Sequence, residues 1–121
     1  MPSTPLESRV AKAAEAALDE QGFVDPIDVL VGMGWLTRAG IENWRRARVP
    51  YLEKIVDANL GTLSSALLIL RRWAQARELR PSESETVYLS RTRDRRPLRF
   101  SKTGDRGLER AYRTHWVPAR R

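Results

Sequence analysis

The stretch TLSSALLILRRWAQAREL, residues 62–79, decides how the chain reads. Leu63, Ala66/Leu67, Leu70 and Trp73/Ala74 recur at the spacing of one helical face. Leu68 and Ile69 widen that face, which is what a central helix needs. Arg71, Arg72 and Arg77 lie towards its exposed end. Gly61 precedes it, and Thr62 or Ser64 is the expected N-cap.

Four helices are expected ahead of it. Thr4 caps the first, with Pro5 in the first turn and Glu7 closing a capping box. Leu6, Val10, Ala13/Ala14, Ala17 and Leu18 form its alanine-rich stripe, and Gly22 ends it. Asp25 and Pro26 open a second, short helix through Ile27, Leu30, Val31 and Met33, broken by Gly32 and Gly34. Thr37 caps a third, with Leu36, Ile41, Trp44 and Ala47 inward and Arg38, Glu42, Arg45 and Arg46 outward. After Pro50, the spacing of Leu52, Ile55, Val56, Asn59 and Leu60 predicts a fourth.

Beyond Pro81 the period changes. Residues 82–85 read as a polar linker. Val87 and Leu89 alternate with Thr86, Tyr88 and Ser90, and Leu98 and Phe100 alternate with Arg99 and Ser101. That pattern predicts a two-stranded hairpin turning through residues 92–96. Asp105 caps a last helix carrying Leu108, Ala111/Tyr112 and His115, and residues 117–121 form a basic tail. The expected fold is mainly α: a five-helix bundle over residues 1–80, then a basic β-hairpin and C-terminal helix over 81–121, packed together as one unit.

The 121 residues are enough to bury a core of one domain, about 65% of the unfolded surface. The absence of cysteine excludes disulfides and thiolate metal sites, and a single histidine, His115, leaves no histidine cluster for a metal or a triad. No apolar run reaches membrane-spanning length and Met1 to Val10 lacks signal-peptide character, so no membrane, a cytoplasmic location and no cofactor are expected. No set of nucleophile, base and oxyanion donors can be assembled, so no enzyme is expected. Trp35, Trp44, Trp73 and Trp116 sit at inward helical positions and read as core.

Charge is uneven. Residues 1–60 hold 7 basic and 9 acidic side chains, whereas residues 61–121 hold 15 and 6. Of the 22 basic residues, 19 are arginine, whose planar fork suits phosphates and guanine edges. A GC-rich coding sequence would equally favour arginine over lysine, but it does not explain the clustering. Arg91, Arg93, Arg95, Arg96 and Arg99, with Lys102, crowd the hairpin against Asp94 alone. Such a ribbon can follow a phosphate backbone, and Tyr88 can stack on a base. The alternative is a solvated edge whose charges prevent aggregation.

Residues 36–56, LTRAGIENWRRARVPYLEKIV, resemble the recognition-helix region of phage-repressor and Cro-type helix-turn-helix proteins, and residues 25–60 take in the whole motif. The threonine that opens the helix, Ile41 and Trp44 three apart, and the basic loop with proline carry the likeness. Gly34 stands one residue earlier than that family places its turn glycine. The resemblance implies that Arg38 and Asn43 reach base edges while Arg45, Arg46 and Arg48 hold phosphates. Gly-Met-Gly-Trp at 32–35, Arg-Val-Pro-Tyr-Leu-Glu at 48–53, Arg-Phe-Ser-Lys at 99–102 and Arg-Ala-Tyr-Arg-Thr-His-Trp at 110–116 resemble the N-terminal part of an uncharacterised bacterial family, whose members run on past this point. That likeness implies bacterial origin and no activity. The partner expected is nucleic acid, DNA over RNA. A homodimer is allowed, and an acidic protein partner of an interaction or scaffolding module is the alternative.

Overall fold

The computed structural model describes residues 4–83 and 89–119. Five α-helices and one two-stranded sheet are present among them: α1 (Pro5–Gln21), α2 (Pro26–Gly32), α3 (Arg38–Arg45), α4 (Leu60–Ala76), β1 (Leu79–Glu83), α5 (Arg106–Arg113) and β2 (Thr114–Pro118). The protein is mainly α. None of these helices is long and apolar enough to cross a membrane.

The caps expected at Thr4, Asp25, Thr37 and Asp105 are in place, each side-chain oxygen accepting from a backbone N–H two or three residues on. At α4 the cap is Asn59, not Thr62 or Ser64. Asn59 has the extended backbone of a cap, and its side chain accepts from the Thr62 N–H at 2.8 Å.

α2 and α4 divide the core into two clusters. On one side Ile27, Leu30, Leu63 and Leu67 meet Trp44, Leu52, Leu98, Phe100 and Tyr112. On the other Val29, Met33, Ala66, Leu70 and Ala74 meet Val10, Ala13, Ala14, Ala17 and Trp116. The alanines of α1 let α2 come very close. A Cβ on Gly32 would lie 3.1 Å from the Ala13 Cβ, so the glycine is needed for that approach.

Four expectations are corrected. The fourth helix is only a 3-10 turn, Leu52–Ile55. Its backbone is drawn into tertiary pairing instead: Leu52 N–H donates to the Arg99 carbonyl (3.1 Å), Glu53 N–H to Phe100 (2.9 Å) and Asp57 N–H to Trp35 (2.8 Å). For the same reason residues 98–101 are not the second arm of a hairpin. They run beside Leu52 and Glu53, with Phe100 and Ser101 fully buried. Of the hairpin, only the Leu89–Pro97 bridge and the Ser90 N–H to Arg96 carbonyl bond are seen, while Thr86, Val87 and Tyr88 lie outside the described residues.

The sheet lies elsewhere. β1 pairs antiparallel with β2, from Leu79 opposite Pro118 to Glu83 opposite Thr114. The expected linker thus begins as strand, crossing the boundary drawn at residue 80. Pro81 is tolerated because a two-stranded ribbon is all edge. The last helix stops at Arg113, so His115 belongs to β2, as does the start of the expected basic tail. Trp116 is the cause: buried, it exchanges both backbone hydrogen bonds with Val24 (2.8 and 2.9 Å), which only an extended chain can do.

Candidate nucleic-acid interface

α3 is turned by its one buried residue. The Trp44 indole N–H donates to the Arg99 carbonyl at 2.8 Å, and its ring packs 5.0 Å from Phe100, which in turn stacks on Tyr112 at 5.3 Å. With that edge pinned inward, Arg38, Ala39, Asn43 and Arg46 are exposed on the other side.

The strip beneath is held by two carboxylates, the buried Glu53 and the half-buried Glu109. Glu53 accepts from the Tyr112 hydroxyl (2.7 Å) and from the Lys102 N–H (2.8 Å). Glu109 accepts from Phe100 N–H (3.1 Å), Ser101 N–H (2.6 Å) and the Ser101 hydroxyl. Burial, the hydrogen bond to Glu53 and the charges of Glu53 and Glu109 push the Tyr112 phenol well above its ordinary range, so it stays a donor. Three of the quoted motifs, at 48–53, 99–102 and 110–116, therefore meet in one network.

Residues 89–97 form a tight loop over the C-terminal end of α3. Ser90, 1% exposed, bonds the Thr92 hydroxyl at 2.7 Å and accepts from the Arg96 N–H at 3.1 Å. Thr92 donates to Asp94. That bond, against some desolvation and with help from Arg96, holds the Asp94 carboxyl below its ordinary value. Arg95 takes a left-handed φ of 44° at the turn.

Two contacts seat this loop on α3. Arg91 N–H donates to the Arg45 carbonyl, at the helix end where carbonyls lack partners, at 2.6 Å. The Arg91 guanidinium donates to Glu42 at 2.7 and 3.0 Å, and Arg46 reaches the same carboxylate at 3.0 Å. Desolvation at this contact pushes the Glu42 carboxyl up, but the hydrogen bonds and charges of Arg46 and Arg91 outweigh it and hold it below its ordinary value. Glu42 reads in the sequence as a mildly unfavourable charge; in the fold it is the clamp between the two basic segments.

The expected residues fall as follows. Arg38 is exposed and pairs with Asp28 at 3.1 Å. Asn43 is exposed and accepts from Arg48 at 3.3 Å. Arg45 is half-buried. Arg96 is exposed, 3.5 Å from Asp94. Arg93 and Arg95 are exposed and make no ion pair among the described residues. Arg99 is exposed, and its guanidinium folds back onto the Ser101 (2.8 Å) and Lys102 carbonyls and lies over the Tyr51 ring. Thus α3 and the loop adjoin, eight arginines are set against Asp28, Glu42 and Asp94, and Arg99 braces the edge. Between them a cleft of about 240 Å³ is lined by Trp44, Ala47, Val49, Pro50, Arg96, Pro97, Leu98 and Arg99.

Sequence reasoning missed Asp28 as the partner of Arg38, since the two sit on different helices. It also missed Arg106, Arg110 and Arg113 on α5, although their spacing of four and three places them on one helical face. His115 stacks on Phe23 and faces Asp25 at 3.4 Å. Among the described residues no group of three metal-ligating side chains is found.

The fold and this surface define a mainly helical protein with an arginine-rich face. No family model matches the chain, and neither the curated proteins nor the solved structures searched contain a match to it.

Proposed function

We propose that this protein binds nucleic acid, duplex DNA foremost, through α3 and the 89–97 loop. The observation that carries the reading is the seating of Arg91 on Glu42 and the Arg45 carbonyl, which joins two separately basic segments into one surface. In this reading the N-terminal half of α3 enters the major groove, as in the helix-turn-helix proteins its sequence resembles. Arg38 and Asn43 approach base edges, and Arg45, Arg46 and Arg48 hold phosphates. Arg91, Arg93, Arg95 and Arg96 follow the adjoining backbone. Arg38 exchanges Asp28 for the ligand, a change of partner that is cheap for an exposed pair.

A mobility shift on duplex DNA and RNA across a salt series tests this. Retention at low salt is expected, with log K falling against log salt at a slope of about −6 for roughly seven neutralised phosphates. No retention of either duplex at low salt ends the reading.

One observation favours a second reading, a protein-interaction module. Leu60 and Leu68, 43% and 47% exposed, project from the outer side of α4, next to the exposed Arg71 and Arg72. An apolar surface edged by cations fits an acidic amphipathic partner. Leu68→Ser would then abolish partner capture and leave salt-sensitive DNA retention untouched.

A further inference from the structure

α5 carries a second basic feature, in which none of the α3 and loop residues takes part. Arg106, Arg110 and Arg113 line one side of a cleft of about 550 Å³, completed by Glu83, Gly104, Gly107 and Glu109. That volume is in the range of small-molecule sites. The opposite side of α5, through Leu108, Ala111 and Tyr112, packs on the core.

The carboxylates around the cleft do not match its cations. Glu109 is turned inward, both oxygens taken by Phe100 N–H, Ser101 N–H and the Ser101 hydroxyl. Asp105 caps α5, accepting from the Leu108 N–H at 2.9 Å. Among the described residues only Glu83, at the end of β1, forms ion pairs with the stripe. It stands 3.4 Å from Arg110 Nε and 3.7 Å from Arg113 Nε, longer than a charge-assisted hydrogen bond of about 2.7–2.9 Å. Arg113 Nε is closed off from solvent and makes no hydrogen bond among the described residues. Arg106 makes no ion pair among them. A buried guanidinium N–H left unmade is costly, and a ligand that supplied the acceptor would relieve it.

We propose that the α5 stripe is a binding site for a phosphate-bearing anion, which displaces Glu83 and is gripped by Arg106, Arg110 and Arg113. Phosphate oxygens can accept from several guanidinium forks at once, which a single carboxylate held at these distances does not. The phosphate comes either from a free phosphate compound or from a nucleic-acid backbone.

The test follows the arginine side-chain Nε–Hε resonances of the full chain at constant ionic strength. Inorganic pyrophosphate is titrated first, and a short duplex oligonucleotide second. With pyrophosphate, saturable shifts confined to Arg106, Arg110 and Arg113 are expected; with the oligonucleotide, these three are expected to shift saturably beside the α3 and loop arginines. Saturation by pyrophosphate identifies a free-anion site, and saturation by the oligonucleotide alone identifies a backbone site. Arg110→Gln should weaken binding about tenfold, the loss of one hydrogen bond to a charged group. Arg106→Gln, at a side chain with no ion pair to break, should weaken it in the same direction. Glu83→Gln should tighten it roughly two- to fivefold by removing the competing carboxylate. No saturable shift with either probe, shifts spread evenly over all arginines, or unchanged or weaker binding in Glu83→Gln would overturn the proposal. Because each resonance reports its own arginine, the α5 site can fail while the α3 face still retains DNA, and the reverse also holds.

Discussion

The Arg91 guanidinium lies 2.7 Å from one Glu42 oxygen and 3.0 Å from the other, and 49 residues of chain separate the two. Through this pair the loop from the basic half meets the helix from the nearly balanced half. Glu42 is also the one carboxylate within the outward side of α3, so it restrains the positive charge it organises.

Replacing Glu42 with glutamine should therefore raise nucleic-acid affinity, by roughly threefold at moderate salt. Stability should change little, since both partners are exposed and screened by solvent. Fluorescence anisotropy with a labelled duplex checks the first, and urea denaturation the second. Weaker binding in this variant would mean that the clamp's geometry outweighs its charge.

Arg93 and Arg95 make no ion pair among the described residues, so no internal partner needs to be broken for them to contact phosphate. The double variant Arg93→Gln/Arg95→Gln should reduce the salt slope of binding by about 2. The thermal midpoint should hold. An unchanged slope would exclude the loop tip from the interface.

Glu42 also sets a pH dependence. Its carboxyl is held below its ordinary value of 4.5, so its contribution is present above that pH and lost as pH falls through the lower folded value. Carboxyl NMR titration should give a midpoint below 4.5 in the native chain, moving back up in Arg91→Gln. Release of the loop, read at the Arg91 amide, should follow the same acid transition.

Tyr112→Phe removes the hydroxyl that donates to the buried Glu53. The cost should be about 1–3 kcal/mol in urea unfolding, because the carboxylate keeps its burial and loses a donor. The slope of the unfolding line should not change.

Ala47 occupies the left-handed region at φ 60°, directly after α3. Ala47→Gly should stabilise the protein by about 0.5–1 kcal/mol, the steric relief exceeding the added backbone entropy. Gly34→Ala is the converse. It has open space around it but φ is 79°, so it should destabilise by about 1 kcal/mol through the backbone alone. Paired thermal melts should move in opposite directions.

Much of the helical framework is legible in the chain because helix starts are local. Thr4, Asp25 and Thr37 each bond an N–H within three residues, and the inward side of α4 follows from spacing alone. Leu52, Ile55 and Val56 keep a helical pattern and yet form a single turn. The Leu52 and Glu53 N–H groups meet the Arg99 and Phe100 carbonyls from 47 residues further on, and the pattern of side chains carries no sign of that exchange. Trp116 is similar: the spacing fits a continuing helix, while its pairing with Val24 requires a strand.

By itself, then, the sequence determined the mainly helical class, the caps of α1, α2, α3 and α5, the buried tryptophan of α3 and the two clusters of arginine, all set by residues close together along the chain. Only the tertiary structure decided which backbone segments pair. The tertiary structure also decided that the Arg99 guanidinium turns onto the Ser101 and Lys102 carbonyls, that Glu42 joins Arg46 to Arg91, and that Arg110 and Arg113 of α5 share Glu83. Hydrogen-bond satisfaction and charge pairing depend on distance in space, and for these residues that distance is set by chain segments far apart in sequence.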